Sequence, residues 1–406
     1  MASVKKYFKG DSVIWAVIIV LSVFSLLAVY SSTGSLAYRF QGGNTSYYIL
    51  KHATILIMGL VITYITHLIP YKYFSRISQM LLYLAIPLLL ITLIYGVTRN
   101  QASRWLSLPG LSLTFQTSDI AKLAIVMYTA RILAKKQDNI KDFKGAFRPL
   151  IIPLLIICGL ILPANLSTSM LIFATVLILM FIGRVRFSYL AGMVGIIILL
   201  VGSFVAITLS GEHEGRVGTW KNRIESYVNG EESDDNYQVT QAKIAIVSGG
   251  IVNLRPGKSV QRNFLPHPYS DFIYAIIIEE YGLAGGIFVM FLYLWLLFRA
   301  AVLVRKSPRT FPAFLVIGLA VMVTFQAIIN MAVVVNLLPV TGQPLPMISM
   351  GGSSLLFTCI AFGIIQSVSR GIKMQQDAAE KLAQQTVEET DNQEQPINEK
   401  EPEIYN

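Results

Sequence analysis

What most constrains this chain is a succession of apolar runs, each near the roughly 20 residues that cross a bilayer as a helix. Ten are readable, at about 13–31, 48–69, 78–97, 117–134, 149–163, 166–183, 188–209, 272–298, 311–335 and 353–369. The chain is 54% hydrophobic and 14% charged, whereas a soluble domain carries about a quarter charged residues. A membrane β-barrel would show short alternating strands instead. The expectation is an all-α polytopic membrane protein of about ten transmembrane helices, with a long outer loop (210–271) between spans seven and eight.

Orientation follows from the cations. Lys5, Lys6 and Lys9 precede the first span, and Lys72 and Arg76 follow the second. A cluster from Lys135 to Arg148 follows the fourth, Arg305, Lys306 and Arg309 the eighth, and Arg370 and Lys373 the tenth. The positive-inside rule then places both termini in the cytoplasm and Asp271 on the outer side. Residues 1–12 read as a cytoplasmic lead, 13–374 as the membrane domain, and 375–406 as a disordered acidic tail. The first apolar run is too long, and lacks the small-residue site, for a cleavable signal peptide. Cys158 and Cys359 fall in apolar spans, which suggests neither disulfides nor a thiolate metal site. The net charge is +10, but the tail from Asp377 holds nine acids and two lysines, so the remainder carries about +17. That excess is a topology and lipid-headgroup signal; no aromatic-interleaved basic patch points to nucleic acid.

The residues with chemical potential lie on the outer side. Asp271 stands at the seam between a proline-punctuated loop and an apolar run; its bland reading is a helix N-cap. Glu279 and Glu280 lie further in, about 12–14 Å along a continuous helix. They are expected on different faces, with Lys122 or hydroxyls near Ser353 as partners and a structural role in the bundle. Arg104 and Trp105 sit in the second outer loop, at turns marked by Pro109-Gly110. Asp119 and Lys122 are at i and i+3 on the fourth span and can pair, with Ser118 as N-cap. In the long loop, Arg216, Trp220 and Arg223 have the spacing of a short interfacial helix. Gln238 and Lys243 precede Ser248-Gly249-Gly250, a weak phosphate cradle on its own. Pro339, Gly342, Pro344 and Pro346 exclude continuous helix before Gly351-Gly352-Ser353-Ser354, which opens the last span with free N–H groups that favour anions.

These segments resemble the signatures of the SEDS family, the polytopic proteins of cell division and elongation. The pattern LP-x-x-x-x-DFI-x-A-x-x-x-EE-x-G spans 265–282, and Ser103-Arg104-Trp105 is similar to the family's RRW. FQTSDIAKL (115–123) is similar to its FQPSE-x-AK, with Thr117 for Pro and Asp119 for Glu. LPANLST (162–168) is similar to its QPDLGT turn, with Asn165 for Asp and Ser167 for Gly; an Asx-turn survives that change, whereas a carboxylate role does not. YQVTQAKIAIVSGG (237–250) and LPVTGQPLPMISMGGSS (338–354) complete the set, with Ala332 and Met350 replacing a Gly and a Tyr. The run QAIINMAVVV is more similar to the division branch than to the elongation branch.

The resemblance implies a peptidoglycan glycosyltransferase that polymerises lipid II into glycan strands at the septum of the bacterial inner membrane. It implies Asp271 as general base in an inverting transfer, because the donor is α-anchored and the product linkage β. Arg104, Trp105, Gln116, Ser118, Asp119, Lys122, Arg216, Arg223, Gln238, Lys243, Ser353 and Ser354 would bind substrate. The pyrophosphate leaving group needs cations, helix N-termini or a divalent metal, magnesium or manganese, though no metal ligand set is legible. The implied partners are a class B penicillin-binding protein and other division proteins. Two readings of other classes remain: a lipid II flippase, which needs a matching inner vestibule, and a non-catalytic division scaffold.

Overall fold

The computed structural model describes residues 9–40, 42–99, 102–107, 114–209 and 234–393. Twelve helices and one small sheet occur among them. They are α1 (Ser12–Ser32), α2 (Gly34–Phe40), α3 (Thr45–Leu68), α4 (Phe74–Tyr95), α5 (Thr117–Lys135), α6 (Arg148–Ile161), α7 (Leu166–Ile182), α8 (Phe187–Leu209), α9 (Asp234–Gly249), α10 (Ile273–Lys306), α11 (Thr310–Val334) and α12 (Gly352–Gln393). Each of the ten expected spans coincides with one of them. Seven helical segments are long and apolar enough to cross a membrane by length and composition alone. The α5 helix is not among them: it carries Asp119, Lys122, Arg131 and Lys135.

At its centre the bundle packs α3 on α12, α4 on α5, α10 on α11, and α11 on α5. Ile125, Met127 and Leu133 of α5, Leu315 and Leu319 of α11, and Phe362 of α12 are fully buried. Cys158 and Cys359 are buried free thiols, as their apolar settings predict.

The ends of the bundle are tied by polar groups. At one end Asp11, assigned by sequence to an unremarkable lead, N-caps α1 by accepting from the Val13 and Ile14 amides. It also pairs with Arg299 of α10, and its backbone exchanges two hydrogen bonds of 2.9 Å with the Gln366 side chain of α12. Three helices meet on one capping residue. At the other end the second outer loop forms an antiparallel sheet, β1 (Val97–Arg99), β2 (Ala102–Ser107) and β3 (Thr114–Gln116), in that order, with Trp105 opposite Gln116. Apolar-run counting did not predict strands here. Pro109 and Gly110 lie outside the described residues, as do Arg216, Trp220, Arg223 and the expected interfacial helix.

Two further expectations change. The tail continues α12 as helix to Gln393 rather than being disordered from 375, and its described side chains from Asp377 to Gln385 are exposed. Low hydrophobicity removed a reason to pack, but Gln, Glu, Ala and Lys are good helix formers. In addition, α10 is not one continuous helix. Gly282 breaks it at φ 72°, ψ 179°. The part beyond, Leu283–Lys306, is 24 residues long. That is about 36 Å of helix, enough by itself for a hydrocarbon core of about 30 Å. Glu279 and Glu280 therefore lie before the span rather than within it.

The segment after α9 fills the break. The Leu283 and Ala284 amides donate to the carbonyls of Gly250 and Ile251 at 2.9 and 3.0 Å. Conversely, the Arg255 amide and the Asn253 side chain donate to the carbonyls of Glu280 and Glu279. Backbone groups orphaned by the break are thus satisfied on both sides. Ser248-Gly249-Gly250 serves this contact rather than cradling a phosphate. A Cβ on Gly249 would stand 2.1 Å from the Ile278 carbonyl oxygen. A Cβ on Gly282 would meet the Ile251 oxygen at 2.6 Å and the Asn253 nitrogen at 2.7 Å. Gly282→Ala combines this clash with a left-handed φ and is expected to cost at least about 1–3 kcal/mol. Thermal unfolding in detergent measures it; an unchanged melting temperature would mean that the break tolerates a side chain.

Candidate active site

The outer motifs converge on one cavity of about 250 Å³. Its walls include Arg104 and Trp105 of β2, Gln116, Asp119 and Lys122 at the start of α5, and Asn165 at the start of α7. His267, Tyr269, Ser270 and Asp271 come from the loop before α10; Gly342, Gln343 and Pro344 come from the loop after α11; Gly351, Gly352 and Ser354 come from the start of α12.

Asp271 does not cap α10. The N-cap residue is Phe272, and no side chain caps the helix. Asp271 Oδ1 instead accepts from the Ser270 hydroxyl at 2.8 Å. A Cβ on Gly342, whose φ is +65°, would lie 3.6 Å from Asp271 Oδ2, so this glycine stands directly beside the carboxylate. The backbone around Asp271 is held from three directions. Asn330 of α11 donates to the Asp271 carbonyl at 2.8 Å and to the Gln343 carbonyl at 2.7 Å. The Ser349 hydroxyl donates to the Ser270 carbonyl at 2.6 Å, and the Met350 amide to the Tyr269 carbonyl at 2.9 Å. The Asp271 loop and the proline-rich loop after α11 are therefore one hydrogen-bonded unit.

Lys122 and Asp119 pair at 2.9 Å, as the i, i+3 spacing predicts, and both are buried. Lys122 also donates to Gln326 at 3.1 Å, and Gln326 donates to the Pro344 carbonyl. Asp119 Oδ2 is buried with no hydrogen-bond donor among the described residues. Arg104 Nε donates to the Ala164 carbonyl at 2.8 Å, which ties the sheet to the turn between α6 and α7. Asn165 N-caps α7 by accepting from the Thr168 amide at 3.2 Å, so the Asx geometry survives without a carboxylate. Ser118 is not the N-cap of α5. The helix starts two residues earlier, at Thr117 with Gln116 as N-cap, and the Gln116 side chain donates to Ser118. Ser353 accepts from the Gln116 amide at 3.2 Å, which leaves Ser354 of that pair on the cavity wall.

Other expectations fail on position. Gln238 and Lys243 lie on α9, which packs on α10, and neither lines the cavity; Lys243 is exposed. Glu279 and Glu280 touch neither Lys122 nor Ser353. Both are instead bound by one segment. Glu279 accepts from the Ser259 hydroxyl and from the Val260 and Gln261 amides. Glu280 accepts from the Ser259 amide and the Ser31 hydroxyl. The 100° between them is spanned because the segment wraps the end of a helix, not a side of it. Their structural role stands, with different partners.

His267, Tyr269, Gln326, Asn330 and Gln343 are site residues that motif matching did not single out. Gln326 and Asn330 had a legible signal: two amides at i and i+4 in an otherwise apolar helix face one neighbour. His267, Tyr269 and Gln343 had none beyond lying inside matched motifs.

No group of three or more His, Cys, Asp or Glu side chains that could hold a metal occurs among the described residues. Among the described residues the acids lining the cavity are Asp119 and Asp271. Those two alone do not make a metal cage of protein ligands. They fit magnesium, which is held by one or two carboxylates together with substrate phosphates.

Comparison with known proteins agrees with this arrangement. Residues 11–374 match the family model FtsW/RodA/SpoVE, described as "Cell cycle protein". The probable peptidoglycan glycosyltransferase FtsW of Trichlorobacter lovleyi is 32% identical over 376 residues, covering 90% of this chain and 94% of that one. That of Bacillus subtilis is 32% identical over 381 residues, covering 91% and 93%. Among solved structures, the rod shape determining protein RodA of Thermus thermophilus superposes with a TM-score of 0.63 at 21% identity, covering 89% of this chain and 97% of that one. A chain of a peptidoglycan synthase complex superposes with a TM-score of 0.68 at 21% identity, covering 89% and 98%.

The buried ion pair yields a test of the site's construction. Lys122→Met leaves Asp119 buried without its counter-ion and is expected to cost about 3–5 kcal/mol. Adding Asp119→Asn to Lys122→Met should recover part of that loss. Melting temperatures of the two variants decide it; equal values would mean that water, not Lys122, carries the Asp119 charge.

Proposed function

The chain belongs to the FtsW/RodA/SpoVE family, and from that premise we propose that it polymerises lipid II into glycan strands during cell division, with Asp271 as general base. The observation that carries this reading is the cavity itself. One wall carries a carboxylate held by its backbone, and the same space is lined by Arg104 and Lys122.

The chemistry follows from those positions. An acceptor sugar hydroxyl attacks the anomeric carbon of the donor, and the new C–O bond forms as the bond to the pyrophosphate breaks. The hydroxyl proton goes to Asp271, whose Oδ2 faces Gly342 and not a bulky side chain. The negative charge that develops on the pyrophosphate is met by Arg104, by Lys122 and by the N-terminus of α12 at Gly351 and Gly352. A divalent cation, magnesium or manganese, would add to that neutralisation, held by Asp119 with the substrate phosphates and leaving Asp271 to take the proton. Single displacement inverts the anomeric centre.

The same reading takes lipid II and the lipid-linked glycan strand as substrates, with a class B penicillin-binding protein and other division proteins as partners. It places the chain in the bacterial inner membrane at the septum, with both termini cytoplasmic. The second reading is a lipid II flippase, which requires a matching inner vestibule. The groove lined by Arg131, Lys135 and Arg309 at the opposite end of α5 shares no residue with the first cavity and is broadly open to the surface rather than enclosed.

Asp271→Asn keeps the side chain's shape but cannot take the proton. Purified chain with its transpeptidase and labelled lipid II should make no polymer after this change, at normal abundance and melting temperature. Near-normal polymer from the Asn variant would refute the base assignment. Vesicle translocation of lipid II that survives in the same variant would support transport instead. Arg104→Ala should slow polymerisation by removing a charge-assisted contact of about 1.5–3 kcal/mol. Unchanged turnover would confine Arg104 to its Ala164 contact.

A further inference from the structure

Residues 250–260, between α9 and the short turn at 261–263, contain no regular structure. A connecting loop in water is made of polar and small residues. This one exposes large apolar side chains: Ile251 at 78%, Val252 at 68% and Leu254 at 78%. They follow Val247, 80% exposed on the last turn of α9. A contiguous apolar patch of this kind marks a surface that something apolar covers.

Three observations identify the cover as lipid. The first is the backbone. Irregular chain at membrane depth is tolerated only where its polar groups are satisfied by protein. The Gly250 and Ile251 carbonyls and the Arg255 amide are taken up by the break in α10. The second is continuity. Leu283, Ile287 and Phe291 form an exposed apolar row on the spanning part of α10, at 44%, 50% and 48%. Leu283 opens that row and donates its amide to Gly250, so the loop extends the lipid-facing surface of a span. The third is charge. Arg255 and Lys258 are exposed immediately past Leu254, and no acid occurs from Gly249 to Ser270. Cations with long apolar stems next to a buried apolar tip suit the boundary between acyl chains and anionic headgroups.

We propose that Val247 to Leu254 is a re-entrant element that dips into the leaflet on the Asp271 side. Val247, Ile251, Val252 and Leu254 contact acyl chains there, and Arg255 and Lys258 sit at the level of the lipid phosphates. The break at Gly282 is then what ties this loop to the lipid-facing end of the span, through the Gly250 and Ile251 carbonyls and the Arg255 amide. This inference rests on the membrane-spanning fold and not on the catalytic reading, so loss or survival of polymerisation does not bear on it.

The test uses the full chain in vesicles of phosphatidylethanolamine and phosphatidylglycerol. Single cysteines replace Val252 or Leu254, with Phe291→Cys as the lipid reference and Asn263→Cys as the aqueous reference. Cys158 and Cys359 are buried and stay in place. An environment-sensitive fluorophore on each cysteine is challenged with phospholipids bearing a nitroxide on the acyl chain. Quenching at 252 and 254 should be several-fold above that at 263 and close to that at 291. The unlabelled thiols at 252 and 254 should react with a charged maleimide, present on both faces, several-fold more slowly than the thiol at 263. Two results would overturn the proposal. Quenching and reactivity like those of position 263 would place the loop in water. Protection from maleimide without lipid quenching would mean that protein, from this chain or a second copy, covers it.

Discussion

A single amide holds the two halves of the candidate site together. Asn330 donates from one nitrogen to the carbonyls of Asp271 and Gln343, which belong to loops that are 59 and 13 residues away in sequence. Neither loop has regular structure of its own, and neither can hold its shape in an apolar bundle without donors from outside. Gln326, one helical turn earlier on α11, does the same for Pro344 while accepting from Lys122. The positions of Asp271 and Lys122 are thus set from one helix face. The Gln343 side chain extends the unit to Thr168 of α7 at 2.7 Å, so the capping turn at Asn165 moves with it.

The break in α10 solves the same problem elsewhere. A helix that stops and restarts leaves carbonyls on one side and amides on the other. Here the segment after α9 supplies both complements, while Glu279 and Glu280 accept from that segment in turn. The clasp lies at the far end of the short helix that begins beside Asp271. A buried carboxylate that accepts several hydrogen bonds from amides and hydroxyls is a structural device, and its costs are met locally. That explains why two adjacent acids occur in so apolar a stretch without entering the cavity.

Much of this was legible in the sequence. Apolar run length located all ten expected spans to within a few residues at most ends, because hydrophobic length is set by the bilayer and not by neighbours. The Asp119–Lys122 pair and the Asx cap at Asn165 were legible because both are local, fixed by helix and turn geometry. What failed was non-local. Nothing in Val97–Arg99, Ala102–Ser107 or Thr114–Gln116 reveals that they pair as strands, since runs of three to six residues with mixed polarity have no usable period. The apolar run from 272 concealed the break at Gly282, because a lone glycine is tolerated in helices and only its neighbour's backbone explains this one. Gln238 and Lys243 were drawn into the site by motif membership, yet they stand on α9 and do not line the cavity.

Of the substitutions that set this chain apart from the family's pattern, the one at Asn165 changes the charge of the cavity and the one at Asp119 keeps it. Asn165 in place of an acid removes one negative charge from the wall but keeps the cap. Asp119 in place of a longer acid still reaches Lys122 at 2.9 Å, because both stand on one helix and the lysine supplies the length. Lys122 is therefore paired with Asp119, and Arg104 and Asp271 stand on the same wall among the described residues. A cavity with an acid at position 165 would carry one more negative charge into its contact with a pyrophosphate. The neutral residue reduces that repulsion at no cost to the turn, so the loss of a carboxylate here is compatible with binding an anionic lipid head. A neutral amide at position 165 also takes no proton, so the residue acts on the site only through the turn it caps and the charge it omits.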